Sequence, residues 1–277
     1  MKLKIVLMML LFSTTSLLAQ DDWFDYDWDS FWVIQKPFIS ISAGISNNSH
    51  FNLNTDFAKT GSIEGRIGYL NSSSFFSNSP VESESFVFLR REAFDLGTEA
   101  KLNEFQTSAW KVGLGNTNGI PYKTGSVSIL PYHGSMLQWA FMKMDTLNLV
   151  GPLREFADLY TDGVKFGNRF EGGVKFRFSD QVELGVGFER SVLYPRVKFW
   201  HWAGSMLVEG IGQNLVDKFV MKVFRSSPKT APIVYFLLKN ALSYGMYELR
   251  KEKMNWPFGS EAPFFSDTYK VNFSFIF

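Results

Sequence analysis

The chain contains no cysteine, which excludes a disulfide scaffold, thiolate metal sites and a lipid-modified cysteine together, and leaves burial and backbone pairing to hold the fold. Charge is scarce and balanced. Only 20% of residues are charged and the net charge is +1, so the basic excess that a nucleic-acid binder needs is missing. Histidine is rare as well: His50, His133 and His201 lie far apart without ligand spacing, and neither a metal nor any other cofactor is expected. No phosphate-cradling Gly-Lys loop occurs. Beyond the first twenty residues no 18-residue apolar run is free of charge and proline, which argues against a helical inner-membrane protein.

Aromatic residues, by contrast, make up 17% of the chain, with 29 phenylalanines. Large apolar faces must therefore exist with little charge to cover them. Lys2 and Lys4 precede an apolar run from Ile5 to Phe12 and a small, polar stretch ending Leu18-Ala19-Gln20. That order predicts a secretory signal peptide over 1–19, cleaved after Ala19. An acidic and aromatic segment without an element's period follows over 20–36, read as a flexible tail or a plug.

From Pro37 onward the dominant pattern has period two. Ile39, Ile41, Ala43 and Ile45 share one face, with Ser40, Ser42 and Gly44 on the other. Phe170 to Phe178 and Val182 to Glu189 repeat it around a turn at Ser179-Asp180-Gln181. Strands of about 9 to 11 residues with one apolar and one polar face are those of a transmembrane barrel, where the apolar face meets lipid and the polar face lines the lumen. Candidate strands fall near 37–46, 60–70, 85–91, 95–103, 105–115, 122–132, 167–178, 181–191, 194–202 and 267–277. The expectation is an all-β transmembrane barrel over 37–277, with about ten antiparallel strands within a range of 8 to 12. A further strand hidden within 133–145 would reconcile the placement of the short turns.

Two stretches break the period. Residues 203–224 and 233–249 place apolar residues at spacings of three and four, which predicts a helical insertion over about 203–252, before the last strand. A shorter helix is expected from Leu153 to Tyr160. The insertion is expected to pack into the lumen, against one rim or along the membrane surface.

The last residues alternate Tyr269, Val271, Phe273, Phe275 and Phe277 with Lys270, Asn272, Ser274 and Ile276. This resembles the terminal strand of bacterial outer-membrane barrels, which ends in an aromatic residue. The resemblance implies a Gram-negative outer-membrane address, outer-membrane lipid and the barrel assembly machinery as partners, and those five residues as the assembly signal. A second resemblance is local. His133-Gly134-Ser135 is similar to the His-x-Ser pair of outer-membrane phospholipases and lipid A deacylases, implying His133 as base and Ser135 as nucleophile. Met136 stands where those families carry Asn, and only Asp145 or Asn148 could orient the imidazole. The competing assignment puts His133, Tyr132 and Trp139 in an interfacial aromatic belt. Three functions follow: a non-enzymatic outer-membrane barrel with a structural, docking or limited transport role, with other envelope proteins as partners; an envelope lipid hydrolase; or a soluble periplasmic protein.

Overall fold

A computed structural model describes residues 35–76, 79–97, 104–144 and 150–277. The expected signal peptide over 1–19, most of the acidic and aromatic segment, and Asp145 and Asn148 lie outside the described residues. Nine strands form one antiparallel sheet: β1 (Lys36–His50), β2 (Thr60–Phe76), β3 (Ser79–Ala93), β4 (Thr107–Gly119), β5 (Tyr122–Thr124), β6 (Val127–Met144), β7 (Lys165–Arg177), β8 (Val182–Leu193) and β9 (Phe264–Ile276). Their order is β4-β3-β2-β1-β9-β8-β7-β6, and β4 pairs in turn with β6, so the sheet closes into an eight-stranded barrel. The three-residue β5 is a side pairing on β6.

Closure removes both sheet edges, and with them any row of unpaired backbone groups. The joint is made where β1 meets β9 over Phe38↔Ile276 to His50↔Phe264. The near rim, where β1 begins and β9 ends, carries the short connections at 77–78, 120–126 and 178–181. The far rim carries 51–59, 94–106, 145–164 and 194–263.

Two of the ten expected strands are not part of the ring, which has eight strands among the described residues. Of 95–103, residues 98–103 lie outside the described residues; a 3-10 turn at Phe94–Leu96 follows β3, and β3 pairs directly with β4 from Ala93↔Ser108 onward, which leaves no place for a strand between them in the ring. The tight turn expected at residues 103–105 falls between β3 and β4, and residue 103 lies outside the described residues. Over 194–202, Pro195 follows the end of β8 and the chain enters a helix at Phe199; proline supplies no ladder donor. The strand expected at 122–132 is split by a turn: Tyr122–Thr124 is β5, and from Val127 the chain is β6, which runs on through 133–144 and contains the hidden strand.

Pleating assigns the faces. Ile39, Ile41, Ile63, Ile67, Val112, Leu114, Leu184, Val186 and Val271 point outward and are exposed. Trp110 and Phe141 pair across β4 and β6 towards the far rim, while Phe178 and Phe277 are exposed at the near rim.

Among the described residues three α-helices interrupt the strands: α1 (Pro152–Thr161), α2 (Phe199–Ser226) and α3 (Ala231–Glu252). Helix α1 lies over the far end, where Phe156 and Tyr160 pack with Phe105, Met142, Leu193 and Phe264. The Tyr160 hydroxyl donates to Leu193 O at 3.2 Å and accepts from Phe264 N at 2.7 Å. Burial pushes its phenol pKa up, so it stays a neutral donor.

The α2–α3 hairpin was expected in the lumen, at one rim or along the membrane surface; it is not in the lumen and is not confined to one rim. It runs down the outside of the wall and back. Trp202 Nε1 donates to Asn168 Oδ1 at 2.8 Å near the far rim. Val220, Phe224 and Ala231 pack with Ile120 and Val81 at the near rim, where Tyr122 donates to Lys229 O at 2.6 Å. On the way back Glu248 pairs with Arg190 near the far end of β8.

Candidate functional site

The inward face of the barrel brings together seven carboxylates (Glu64, Glu82, Glu84, Glu92, Glu171, Glu183 and Glu189) and seven cations (Arg66, Arg90, Lys111, Arg169, Lys175, Arg177 and Lys270), all joined in ion pairs. Beside pairs within one strand, such as Arg66–Glu64 and Arg90–Glu92, and between neighbouring strands, several pairs cross the lumen and link β2 and β3 to β7, β8 and β9. Arg169 reaches Glu64 at 2.6 Å, Arg66 reaches Glu171 at 2.6 Å, and Lys270 reaches Glu171 at 2.7 Å. Nearer the near rim, Arg177 joins Glu82 at 2.7 Å and Glu183 at 2.9 Å, and Lys175 joins Glu84. Towards the far rim Arg90 pairs with Glu189, and Lys111 with Glu92 at 2.6 Å.

Burying so many ions is tolerable only because each has an opposite partner close by. Tyr132 adds a hydrogen bond, donating to Glu171 at 2.5 Å. The Arg169 guanidinium lies 4.1 Å from the Phe88 ring centre and that of Arg66 4.5 Å from Phe86, which gives both cations a second favourable contact. An apolar cluster of Phe38, Leu70, Phe86, Phe88, Met136 and Ile276 packs on the same inward face, with Phe86 and Phe88 between Glu84 and Arg90 along β3, and the α1 cluster closes the far end. Side chains fill the lumen from rim to rim. Gly187 has no spare room either: a Cβ there would stand 2.7 Å from the Tyr132 hydroxyl.

The second concentration of polar groups lies outside, under the hairpin. Ser205, Glu209, Gln213 and Asp217 recur every fourth residue on α2 and therefore share a face. They meet Lys239, Ser243 and Arg250 of α3. Arg250 holds Glu209 at 2.7 Å, Lys239 holds Asp217 at 2.6 Å, and Gln213 donates to Ser243 at 2.9 Å. Asn240 joins this seam to the wall, donating to Tyr132 O at 3.3 Å.

The sequence-derived candidates are placed as follows. His133 and Ser135 both point outward from β6. His133 is buried beneath α3, 3.2 Å from Asn240 Oδ1 through Nδ1. The Asn240 amide nitrogen already donates to Tyr132 O and Phe236 O, so Nδ1 carries the proton. Ser135 is exposed, and among the described residues no hydrogen bond joins it to His133. The aromatic-belt assignment separates too, because Tyr132 is inside the lumen and His133 under the hairpin. Tyr269, Val271, Phe273, Phe275 and Phe277 line the outward face of β9, between β1 and β8.

Sequence reasoning missed Asn240 and Gly172. A Cβ on Gly172 would lie 2.1 Å from Asn240 Oδ1, so glycine there is what lets the helix approach the strand. The four-residue polar stripe on α2 was the signal available.

No family model matches this chain, and no curated protein matches it. Among solved structures it is similar to Neisserial surface protein A, at 12% identity and a TM-score of 0.43, covering 87% of this chain and 97% of that one. It is also similar to Ail, the attachment invasion locus protein of Yersinia pestis, at 10% identity and a TM-score of 0.35, covering 88% and 99%. The translocator domain of autotransporter NalP from Neisseria meningitidis aligns at 8% identity and a TM-score of 0.28, over 57% of this chain and 50% of that one. With identities no higher than 12% and TM-scores no higher than 0.43, these similarities assign no role. The barrel stands on its own strand pairing.

Proposed function

We propose that this chain is a non-enzymatic, non-conducting barrel of the Gram-negative outer membrane, with a structural or docking role in the envelope. The observation that carries this is the inverted polarity of a closed barrel: paired charges inside, isoleucine, valine and leucine outside. In water such an outer wall would leave a large apolar surface uncovered; in lipid it is the favoured side. The filled lumen counts against solute passage. An eight-stranded barrel has just enough interior for side chains, and aqueous channels belong to much larger barrels. With short turns at the near rim and long connections at the far rim, docking is assigned to the far rim.

The test is paired. Membrane fractionation with unboiled gels should find a heat-modifiable species in the outer membrane, and the purified protein in planar bilayers should give no steady conductance. A soluble periplasmic species, or a stable open channel, would overturn the proposal.

A further inference from the structure

We propose that the α2–α3 hairpin is itself embedded in the bilayer, descending and returning along the barrel wall with its outer face against lipid acyl chains. The proposal rests on the outer-membrane placement above and adds a helical surface to the lipid-facing strands.

Polarity is the first ground. A helix hairpin on a water-exposed surface buries its apolar stripe and shows its charges to solvent. Here the order is reversed. The buried seam holds the Glu209–Arg250 pair and the Gln213–Ser243 hydrogen bond, while from Ile233 to Leu249 the exposed residues of α3 are the uncharged Ile233, Leu237, Leu238, Ala241, Tyr244 and Leu249. The one charge that also reaches the surface there, Glu248, lies in the last turn before the far rim and is paired with Arg190 and Lys251. On α2, Leu207, Ile211, Leu215 and Phe219 are each more than half exposed.

Dimensions are the second. Sixteen helical rises from Ile233 to Leu249 span about 24 Å, and the apolar band of an outer-membrane barrel is about 25 Å tall. The ends fit as well. Arg225, Ser226, Ser227 and Lys229 are exposed at the turn by the near rim, and Glu252 and Lys253 at the far rim. Two charges reach the surface between Leu207 and Phe219, both about two turns from that tip: Lys218, within reach of the interface through its flexible stem, and Asp217, which is paired with Lys239 at 2.6 Å.

No described helix is long and apolar enough to cross a membrane on composition. Composition counts both faces, whereas the polar face of this pair is sealed in the seam and against β6, β7 and β8. Lipid is the occupant favoured over a second copy. The exposed face continues the apolar wall around the circumference, and it stops where the strand wall stops, at both rims. A bilayer imposes those two limits.

Because the chain has no cysteine, single Leu237→Cys, Ile211→Cys, Val186→Cys and Ser227→Cys variants can carry a nitroxide each, in nanodiscs holding one chain. The measurement is relative collision with oxygen, which enriches in lipid, and with a water-soluble nickel chelate. Positions 237 and 211 should match the strand-wall position 186, with an oxygen-to-nickel ratio on the order of tenfold above that at 227, since the bilayer core excludes water. Nickel access at 237 and 211 with lipid exposure at 186 would overturn the embedded hairpin alone. Shielding from both reagents at 237 and 211 would overturn it in favour of a protein contact. Nickel access at 186 would overturn the outer-membrane placement and the hairpin with it.

Discussion

Glu64 has four cations within 3.7 Å: Arg169, Arg66, Arg90 and Lys270. Removing its charge leaves buried guanidinium groups short of a partner, and breaking such a pair costs about 3 to 5 kcal/mol. Glu64→Leu should therefore lower the urea midpoint of the folded barrel by that order. Glu248→Ala removes a carboxylate that also pairs with an arginine but is itself more than a third exposed; its cost should stay below about 1 kcal/mol. Equal midpoints for the two variants would mean that the lumen is hydrated and the network screened. Alternation identified Glu64 and Arg169 as polar-face residues. It could not pair them, because they stand 105 residues apart and meet only when the sheet has curled on itself.

At the scale of elements, α3 meets the wall where Gly172 lies beneath Asn240, beside the Phe170–Tyr247 ring contact and the Arg190–Glu248 pair. Gly172→Ala forces the Asn240 side chain aside and breaks its bonds to Tyr132 O and His133, a loss of about 1 to 3 kcal/mol for buried groups left unpaired. The expected result is faster proteolysis at the 227–230 turn, with heat-modifiable mobility of the barrel unchanged. Unchanged cleavage would show that the seam does not hold the hairpin in place. Both long helices were legible, since spacings of three and four are unambiguous over such lengths. Their position was not. Periodicity says which residues share a face, and here the polar stripe faces inward and the apolar one outward, the reverse of what a helix in water does. The same limit produced the false strand at 194–202, where aromatic residues fit either period until Pro195 and the docking of Trp202 on Asn168 decide it.

For the molecule as a whole, β9 completes the ring, and its outward residues are those that resemble an assembly signal. Phe277 N donates to Pro37 O at 2.9 Å, placing the terminal ring at the joint itself. Phe277→Asp should reduce the folded species in membrane fractions several-fold while leaving export intact; normal folded levels on unboiled gels would refute a role in assembly. Barrel class was legible from alternation, and strand number was not, because a count depends on which edges meet. That joint also has a kinetic side. β9 pairs with β1 across almost the whole described chain and with β8 across the long 194–263 excursion, so neither partner is local. Relative to a four-residue turn such as 178–181, closing a 70-residue loop costs roughly 2 to 3 kcal/mol more in chain entropy, and non-local pairing of this kind slows folding. The other seven barrel strands can zip by short or moderate connections, leaving an open ribbon whose final step waits on one strand and on the hairpin that must be laid along the wall before it. In that waiting state the ribbon exposes the edges of β1 and β8, the interval in which assembly is most vulnerable to pairing with another chain.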